Sequence, residues 1–495
     1  MIKSLPIPDA RSKSRSNEPR NPSNPNPESN MKHRTTLATL ALSLSMAAHS
    51  ATNFVHPGAL DSKEDLDFVK AKIAAGAQPW AGQFNILKTI ASSGSKTTAP
   101  ADGNENAQKA DGRKAYANAL VWYFTGDTRY AELSIGILNV WGRTFEGYAL
   151  PAANQGNQSQ LDAGWIGSLL GPAAEIMRGY AGWNPDDIAM VQTMFKTKFY
   201  PALNQMSTWN GNVDLTQIDA MMNLAVFNDD QAEFDLALSR LRRRDTAYFY
   251  LSTDRANARN YGGSNENAWS DANGNAPLEW MDGLTQETCR DNTHHAQYAM
   301  ASAFHAAEIA WHQGVDVYTP NTRRYTAVME LMAKQIVTGT MQGACLDSIT
   351  SPDRFDTWEI GYNHYHNRMG IDLPNTRTAI MQEIRPKGIS DWNIFFETLL
   401  HGDVSVTSAV ADRSRPNLMS ISVMHDGTLG FTPNESGIVE VSVMGLDGRK
   451  VARQSLHAIA GQHRKLSLGM EQAPAGVYMV QLREPNNTAT VKYTK

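Results

Sequence analysis

The chain has 495 residues, of which 41% are hydrophobic and 19% charged, and its formal net charge is −5 at pH 7. A single hydrophobic core rarely grows beyond roughly 250–300 residues, so this length predicts at least two folded units. The acidic balance excludes the overall positive charge typical of nucleic-acid binding, although a local basic cleft can still bind an anionic polymer.

Residues 1–51 carry the features of a targeting segment. Residues 1–30 are rich in Pro, Asn, Ser and Arg and cannot bury a core, so we interpret them as a disordered or non-native extension before a true start at Met31. Residues 31–51 combine the basic start Lys32-His33-Arg34, an apolar run and a small-residue cleavage site, as in a secretory signal peptide. The apolar run is shorter than the roughly 20 residues that span a membrane. The sequence therefore predicts a secreted or cell-surface protein without a membrane span.

Residues 52–402 are predicted to form a mainly helical domain. Apolar residues recur at helical spacing in 116–124 and 133–141, on either side of a Gly126-Asp127 turn, which predicts an αα-hairpin. Further helices are predicted at 163–181, 186–205, 214–228, 230–249, 284–313, 322–338 and 373–384. No part of this region alternates convincingly at period two, so consecutive helical hairpins are the economical architecture.

Two long stretches without helical spacing, 92–106 and 253–283, are rich in Gly, Asn, Ser and Asp. Loops of this length are uncommon in compact domains unless they are functional, so they are candidate walls or lids of a cleft. Trp269 and Trp280 in the second stretch are candidates for stacking on sugar rings. A surface insertion without a task is an alternative of equal weight.

The character of the sequence changes after residue 402. A linker is predicted at 403–415 and a small β-sandwich at 416–495. Its strands are predicted at 420–424, 439–443, 451–454, 465–468, 477–481 and 489–493. Asp426-Gly427 and Asp447-Gly448 are hairpin signals, because both residue types tolerate positive φ.

The two cysteines of the chain are Cys289 and Cys345. In an exported protein they can form one disulfide, and they can equally remain two buried thiols. By themselves they build neither a cystine framework nor a zinc cluster.

The segment 287–298 is the richest in chemically useful side chains. On a helix, Glu287, Arg290, His294 and Tyr298 follow one another at steps of three, four and four, so they line one face. That face holds an acid, a cation, a base and a phenol. A salt-bridged surface with one core tyrosine is the alternative.

The segment 358–368 contains two Tyr, two His, two Asn and one Arg. If buried, each of these side chains needs a polar partner, which packing alone hardly explains. The candidate site residues here are Tyr362, Asn363, His364, Tyr365 and Arg368. The alternatives are an exposed polar loop and a His-rich metal site, although no HExxH-like pair or acidic cluster accompanies the histidines.

A third candidate, Asn210-Gly211-Asn212, stands directly before a predicted helix, where Asn212 can also serve simply as the helix cap.

These residue types suit β-elimination next to a carboxylate. Abstraction of the C5 proton of a uronic acid leaves charge on the carboxyl oxygens, which Asn, His and Arg stabilise. The reaction also needs a base for C5 and an acid for the O4 leaving group. His or Tyr fills these roles when a positive neighbour adjusts its pKa.

At these residues the chain resembles the alginate lyase family of polysaccharide lyases, which includes relatives that cut other polyuronates such as glucuronan. The resemblance extends from His56-Pro57-Gly58 to about residue 400. Its marks are Gln78-Pro79-Trp80, Asn210-Gly211-Asn212, the Glu287…Arg290-Asp291…His294 pattern, Gln313-Gly314-Val315-Asp316 and Tyr362-Asn363-His364-Tyr365. The marks are moderately specific together and weak singly.

The resemblance implies an incomplete α/α toroid whose cleft crosses the helix ends. It implies that Asn212 and Arg290, with His364, neutralise the substrate carboxylate, and that Asn210 contacts the substrate beside them. Val213 stands where relatives often carry an aromatic residue, which leaves the edge of the sugar subsite open.

The same resemblance implies that His294 is the base or assists the base. A tyrosine, either Tyr298 or Tyr365, then protonates the leaving oxygen, or serves as both base and acid. Tyr298 shares the helical face of His294, whereas Tyr365 belongs to the better-matching motif.

The carboxyl-terminal segment resembles a sorting domain of the type IX secretion kind. Its marks are the stretch from Gly445 to Val451, the turn and strand Pro474-Ala475-Gly476-Val477-Tyr478, and a basic terminal strand. This resemblance implies a partner in the secretion machinery. A carbohydrate-binding module is the competing interpretation.

We therefore predict a lyase without metal or other cofactor that cleaves a polyuronate, alginate or glucuronan-like, and leaves 4,5-unsaturated uronic ends. One rival is a glycoside hydrolase on a similar helical toroid, which needs two carboxylates roughly 5–9 Å apart, for which Asp214 and Glu287 are the pair to nominate. The other rival is a non-catalytic glycan-binding surface protein. The uronic acid cleaved, endo or exo action and the oligomeric state stay open.

Overall fold

The structure is a computed structural model, and it describes a defined set of residues within 54–495. These are residues 54–91, 97–261, 269–270, 276–291, 293–345, 352–388, 390, 396–402, 420–423, 427–433, 437–445, 449–458, 464–470, 473–484 and 488–495. The expected extension at 1–30, the signal segment at 31–51 and the linker at 403–415 lie outside the described residues.

The described part of residues 54–402 is mainly helical. Its α-helices are α1 (Lys63–Ala74), α2 (Trp80–Ile90), α3 (Glu105–Thr125), α4 (Thr128–Thr144), α5 (Gln158–Met177), α6 (Pro185–Met194), α7 (Tyr200–Asn204), α8 (Gly211–Phe227), α9 (Gln231–Tyr248), α10 (His294–His312), α11 (Tyr318–Thr338), α12 (Glu359–Tyr362), α13 (Pro374–Ala379), α14 (Arg385–Lys387) and α15 (Glu397–Leu400). Three π-helical segments, Phe195–Phe199, Asn363–Arg368 and Ile380–Ile384, adjoin them, and Ala256–Arg259 is a 3₁₀ turn. Among the described residues, no helix has both the length and the apolar character required to cross a membrane.

Helices α5 and α8 lie close together and run in the same direction. Gly164 and Gly171 of α5 face Thr216 and Asn223 of α8, and a Cβ atom at either glycine would come within 2.8 Å of its neighbour. Both contacts advance along the two helices together, which makes the pair parallel. Glycine is required at these positions because the helices approach too closely for a larger side chain.

Helices α8 and α10 are parallel as well. The Oγ1 atom of Thr216 lies 3.4 Å from Oγ of Ser302, and one turn later His305 bonds Asp219 at 2.9 Å. Helices α3, α5, α8 and α10 therefore form a row of neighbours whose amino-terminal ends meet at one end of the bundle, since α3 also packs alongside α5.

The helix that follows each of α8 and α10 returns antiparallel to it. On α9, Arg244 bonds Asp214 near the start of α8 at 2.8 Å. On α11, Tyr318 donates to Glu308 late in α10 at 2.8 Å, whereas Tyr325 packs on Phe304, one turn earlier in α10. The predicted consecutive hairpins are present in this part of the chain.

The predicted helix at 284–313 is wrong in its first turns. Residues 286–290 form turns, and α10 begins at His294. Thr293 before it has φ of +68°, a left-handed conformation that a helix cannot include. Glu287 and Arg290 consequently do not share a helical face with His294 and Tyr298.

The carboxyl-terminal region is built from β-strands. They are β1 (Ser420–Val423), β2 (Thr428–Thr432), β3 (Gly437–Gly445), β4 (Lys450–Ala458), β5 (Arg464–Ser467), β6 (Val477–Arg483) and β7 (Thr488–Thr494). Two antiparallel sheets have the orders β1-β2-β5 and β4-β3-β6-β7. Phe431 of the first sheet and Val441 and Val480 of the second belong to one buried apolar cluster, so the sheets pack face to face as a sandwich.

The strand predictions agree with this region apart from β2, which the sequence did not indicate. Strands β1 and β2 are antiparallel, and Gly427 before β2 has φ of +77°, whereas Asp426 of the predicted turn lies outside the described residues. The turn predicted at residues 447–448 lies outside the described residues.

Candidate active site

The amino-terminal end of α8 presents the motif Asn210-Gly211-Asn212. The Gly211 N–H donates to the side-chain carbonyl of Gln286 at 2.8 Å, and a Cβ atom at Gly211 would lie 2.5 Å from the Tyr248 ring. The N-cap residue of α8 is Asn210, and its side chain makes no capping hydrogen bond. Asn212 lies inside the first turn, buried, and its Oδ1 has no hydrogen-bond partner among the described residues. The simple capping role therefore does not apply to Asn212.

The segment before α10 holds Arg290 in a defined position. The guanidinium of Arg290 donates to Oε1 of Glu287 at 2.6 Å, and Oε2 of Glu287 accepts from the Tyr248 hydroxyl at 2.5 Å. Glu287 is fully buried, whereas the Arg290 side chain is 37% exposed. Arg290 is thus anchored at one side and open to solvent at the other.

His295 adds a second cation beside Arg290. Burial alone would lower the pKa of His295, but the 2.5 Å bond to Asp291 and the nearby charge of Glu287 outweigh it and raise this pKa. The imidazole therefore stays protonated to higher pH than a free histidine, which increases the local positive charge.

His294 is the first residue of α10 and is oriented by an acid. Its Nδ1 lies 3.0 Å from Oδ2 of Asp353, and 35% of its side chain is exposed. Because a carboxylate only accepts hydrogen bonds, Nδ1 carries the proton and Nε2 of the neutral ring keeps its lone pair. This tautomer leaves Nε2 available as a base.

Tyr298 lies one turn after His294. Its ring centre is 5.1 Å from that of His294, 4.8 Å from that of Phe355 and 6.4 Å from that of Trp165 on α5. The phenol is buried to 3% exposure in this aromatic group. The group joins α5, α10 and the segment before α12.

Asn212, Arg290, His294 and Tyr298 lie at the same end of the helix row. On α8, the hydroxyl of Thr216 donates to the backbone carbonyl of Asn212, one turn earlier, at 2.9 Å. The same hydroxyl faces Ser302 of α10, which lies one turn after Tyr298. Because α8 and α10 are parallel, Asn212 and Tyr298 lie at the same height along the two helices. Gly211 is bonded to Gln286, four residues before Arg290. The four residues that the sequence singled out in these two segments therefore lie at the same end of α8 and α10, and His294 and Tyr298 are in direct contact.

Asp162 on α5 belongs to the same end of the row. Burial raises its pKa to about 6, although a hydrogen bond from Gln158 acts in the opposite direction. The carboxyl is thus poised to exchange a proton near neutral pH.

The segment 358–368 does not join this group, which corrects the prediction for Tyr365 and His364. Tyr365 is fully buried, and its hydroxyl donates to the backbone carbonyl of Tyr318 at 3.0 Å. His364 is buried against the Tyr318 ring at a centroid distance of 3.6 Å, and burial lowers its pKa to about 4. Arg368 bonds Glu308 at 2.6 Å, and Glu308 follows His294 by four turns of α10, about 21 Å along the axis.

The remaining polar side chains of this segment contact one another. Asn363 accepts a hydrogen bond from Asn367 at 3.0 Å, and the Tyr362 ring stacks on His366 with centres 4.7 Å apart. Tyr362 and His366 line an open cavity of about 370 Å³ with Arg377 and Arg385. The second motif thus builds the opposite part of the helical domain.

Trp269 and Trp280, both in the second long stretch, pack together with ring centres 5.2 Å apart. Trp269 is 2% exposed and lies in an apolar cluster with Leu284 and Cys345, which corrects its predicted role in sugar stacking. Trp280 is half-buried, and the Arg259 guanidinium lies 4.1 Å above its ring. The disulfide between Cys289 and Cys345 closes the same cluster, which settles the two alternatives for the cysteines.

The acid pair proposed for a hydrolase is not free to act. Asp214 is fully buried and ion-paired with both Arg240 and Arg244. Glu287 is fully buried between Tyr248 and Arg290. Neither carboxylate is placed as the acid or nucleophile of a glycosidase.

Sequence reasoning missed three contributors to the site. Asp353 orients His294, Phe355 packs on Tyr298, and Tyr248 fixes Glu287. They come from segments far apart in the chain, and none stands in a recognisable motif. No local signal in the sequence points to them.

Comparison with known proteins decides the class of this site. The model of the family described as alginate lyase matches residues 16–249, slightly less than half of the chain. The chain is a polysaccharide lyase. The predicted enzyme class is confirmed.

The fold of this lyase is shared by one solved structure, and two others are similar to it at lower TM-scores. A complex of alginate lyase A1-III with a tetrasaccharide has 12% identity and a TM-score of 0.50, and the match covers 72% of this chain and 97% of that one. Alginate lyase A1-III from Sphingomonas species A1 has 13% identity and a TM-score of 0.48, with coverages of 70% and 95%. An alginate lyase from Bacteroides ovatus has 16% identity and a TM-score of 0.39, with coverages of 57% and 84%. No curated protein sequence matches the lyase.

Proposed function

We propose that this lyase cleaves a polyuronate, alginate or a glucuronan-like polymer, by β-elimination and leaves 4,5-unsaturated uronic ends. The observation that carries the proposal is the grouping of Asn212, Arg290, His294 and Tyr298 at the amino-terminal ends of α8 and α10. An incomplete α/α toroid, with its cleft across these helix ends, is part of the proposal.

The substrate carboxylate binds where positive charge is concentrated. Arg290 is partly exposed, and beside it the pKa of His295 is raised because the bond with Asp291 and the charge of Glu287 outweigh the effect of burial. The amino-terminal ends of α8 and α10 add the positive ends of two helix dipoles. Asn212 supplies an amide at the first of these ends. Such donors stabilise the charge that develops on the carboxyl oxygens when C5 loses its proton.

The proton transfers fall to His294 and Tyr298. His294 has a free lone pair on Nε2 because Asp353 holds the proton on Nδ1, so it removes the C5 proton. Tyr298, one turn away on the same helix, protonates the O4 leaving group. Tyr365 is not part of this proposal, since its hydroxyl bonds the backbone in the core.

Product analysis tests the reaction. Purified protein is incubated with alginate, glucuronan and pectate, and the double bond conjugated with the carboxylate should give new ultraviolet absorbance with at least one polymer. Arg290→Ala and Tyr298→Phe should each lower kcat/KM by about 10²–10³-fold. Tyr365→Phe is the matched control and should retain turnover. Chain cleavage without ultraviolet absorbance would identify hydrolysis and contradict the proposal.

We also propose that the β-sandwich at 416–495 directs the lyase through type IX secretion to the medium or the cell surface. Support comes from the resemblance of its turn motifs and from a core of its own. The full chain and a chain ending at residue 402 are expressed in a host with this machinery. The full chain should reach the medium while the shorter one stays in the cell; equal export of both would contradict the proposal.

A further inference from the structure

A cluster of ionisable side chains lies inside the helical domain, away from the candidate active site. Asp65 of α1, Glu308 of α10 and His401 after α15 each place one nitrogen or oxygen within 4.8 Å of the other two. Nε2 of His312 lies 3.1 Å from Asp65 and 3.5 Å from Glu308. All four side chains are at most 2% exposed. Within the described part of the chain, Asp65, Glu308 and His401 are the one set of three such residues with this spacing.

Several atoms of the cluster lack hydrogen bonds. Neither ring nitrogen of His401 has a hydrogen-bond partner among the described residues, and the same holds for Oδ1 of Asp65. Buried polar atoms are almost always paired, so these atoms indicate a missing partner. The imidazole of His401 and the carboxylate of Asp65 point to the same small region.

His312 is oriented as metal-binding histidines are. Its Nδ1 lies 2.8 Å from the backbone carbonyl of Ala59, which only accepts, so Nδ1 carries a hydrogen. Nε2, the other ring nitrogen, then faces Asp65 and Glu308. A histidine ligand typically donates its other N–H to a backbone carbonyl or a carboxylate in this way.

The cluster brings carboxylates and imidazoles together in the interior. Asp65 and Glu308 supply two carboxylates, and Glu308 is bonded to the guanidinium of Arg368 at 2.6 Å. Asp61 is buried and lies 3.8 Å from Nε2 of His401. The unpaired nitrogens of His401 and the unpaired Oδ1 of Asp65 therefore lie among groups that bind cations.

We propose that Asp65, Glu308, His312 and His401 bind a divalent metal ion of the zinc class. Nitrogen and carboxylate oxygen ligands suit this class, and ligand atoms in a tetrahedral site with bonds of about 2.0–2.1 Å lie roughly 3.3 Å apart, close to the spacings around His312. No metal is expected from the sequence, and the proposed ion has a structural task. It ties α1 to α10 and to the segment after α15, about 21 Å along α10 from His294.

Metal analysis of the full chain, purified without chelators, tests the site. We expect about one zinc-class ion per chain by elemental mass spectrometry. Removal by a chelator should lower the midpoint of thermal unfolding by several degrees, and Zn²⁺ alone should restore it. His401→Gln should lose the ion, whereas His457→Gln, on exposed β4, should keep it.

Titration of the metal-free wild type with Co²⁺ gives an independent measurement that does not depend on the folding of a variant. Visible absorption bands of tetrahedral Co²⁺, displaced by Zn²⁺, support the site. Absence of a bound ion together with absence of Zn²⁺ and Co²⁺ binding overturns it, as does a metal content equal in His401→Gln and the wild type.

Discussion

The proposed role of His294 as a base depends on which of its two ring nitrogens carries the proton. A half-exposed histidine has no fixed tautomer by itself, and the bond from Nδ1 to Asp353 supplies one. Asp353 contacts His294 and is not assigned a contact with the reacting atoms. It is a positioning residue that acts through His294.

Replacement of Asp353 by Asn should lower kcat by about 10–100-fold with little change in KM, because an amide can also bond the wrong tautomer of His294. The effect should be smaller than for a buried pair, since both partners are over one-third exposed. The pH profile of kcat measures it, and Asp353→Glu should recover part of the rate. Asp372→Asn, at an exposed acid just before α13, is the control. A wild-type pH profile in Asp353→Asn would contradict the positioning role.

The residues of the site differ in how far the sequence could predict them. Asn212, Arg290 and His294 stand in short motifs, so the chemistry of the motif and its resemblance to a family identified them. Tyr365 stands in an equally good motif but is enclosed by Tyr318 and the core. Motif quality does not report burial, because burial depends on contacts between distant segments.

At the scale of elements, the segment 285–291 positions Arg290 without being a helix. Its geometry comes from Gln286 bonding Gly211, Glu287 bonding Tyr248, and the disulfide from Cys289 to Cys345. Helical spacing in the sequence predicted a continuous helix here, because amphipathic spacing cannot detect the left-handed φ of Thr293. Such backbone strain is common next to functional residues.

The disulfide should contribute substantially to stability, since its cysteines are 56 residues apart. Loop-closure entropy for that separation gives an upper value of about 4 kcal/mol. The midpoints of urea unfolding of the wild type, with and without a reductant, measure this contribution. The double variant Cys289→Ser and Cys345→Ser should match the reduced wild type and be insensitive to reductant. Equal midpoints for the oxidised and reduced wild type would show that the bridge adds nothing.

At the scale of the whole helical domain, the row of parallel helices is joined by buried ionic bonds as well as by apolar packing. His305 of α10 bonds Asp219 of α8 at 2.9 Å and Glu397 of α15 at 3.0 Å. Glu397 in turn accepts the backbone N–H of Glu359 at the start of α12 at 3.0 Å. One imidazole thereby connects four helices. Hydrophobic periodicity predicted the hairpins, but it contains no information about this linkage between them.

Stability should therefore depend on pH through His305. Burial alone would lower the pKa of His305, but the charges and hydrogen bonds of Asp219 and Glu397 outweigh it and raise the pKa from 6.5 to about 10. Because the folded pKa is raised, the contribution of His305 is fully present below about pH 6.5 and is lost as the pH rises towards 10. The shift corresponds to roughly 3–5 kcal/mol at most.

The measurement is the midpoint of thermal unfolding between pH 6 and pH 10 for the wild type and for His305→Gln. The variant should be several degrees less stable at pH 6, and the difference should narrow steadily towards pH 10, because the wild type loses its imidazolium over that range. His366→Gln, partly exposed and bonded only to a local backbone carbonyl among the described residues, is the matched control. A pH-independent difference between His305→Gln and the wild type would mean that His305 is neutral in the folded protein, and that shape and hydrogen bonding alone join the four helices.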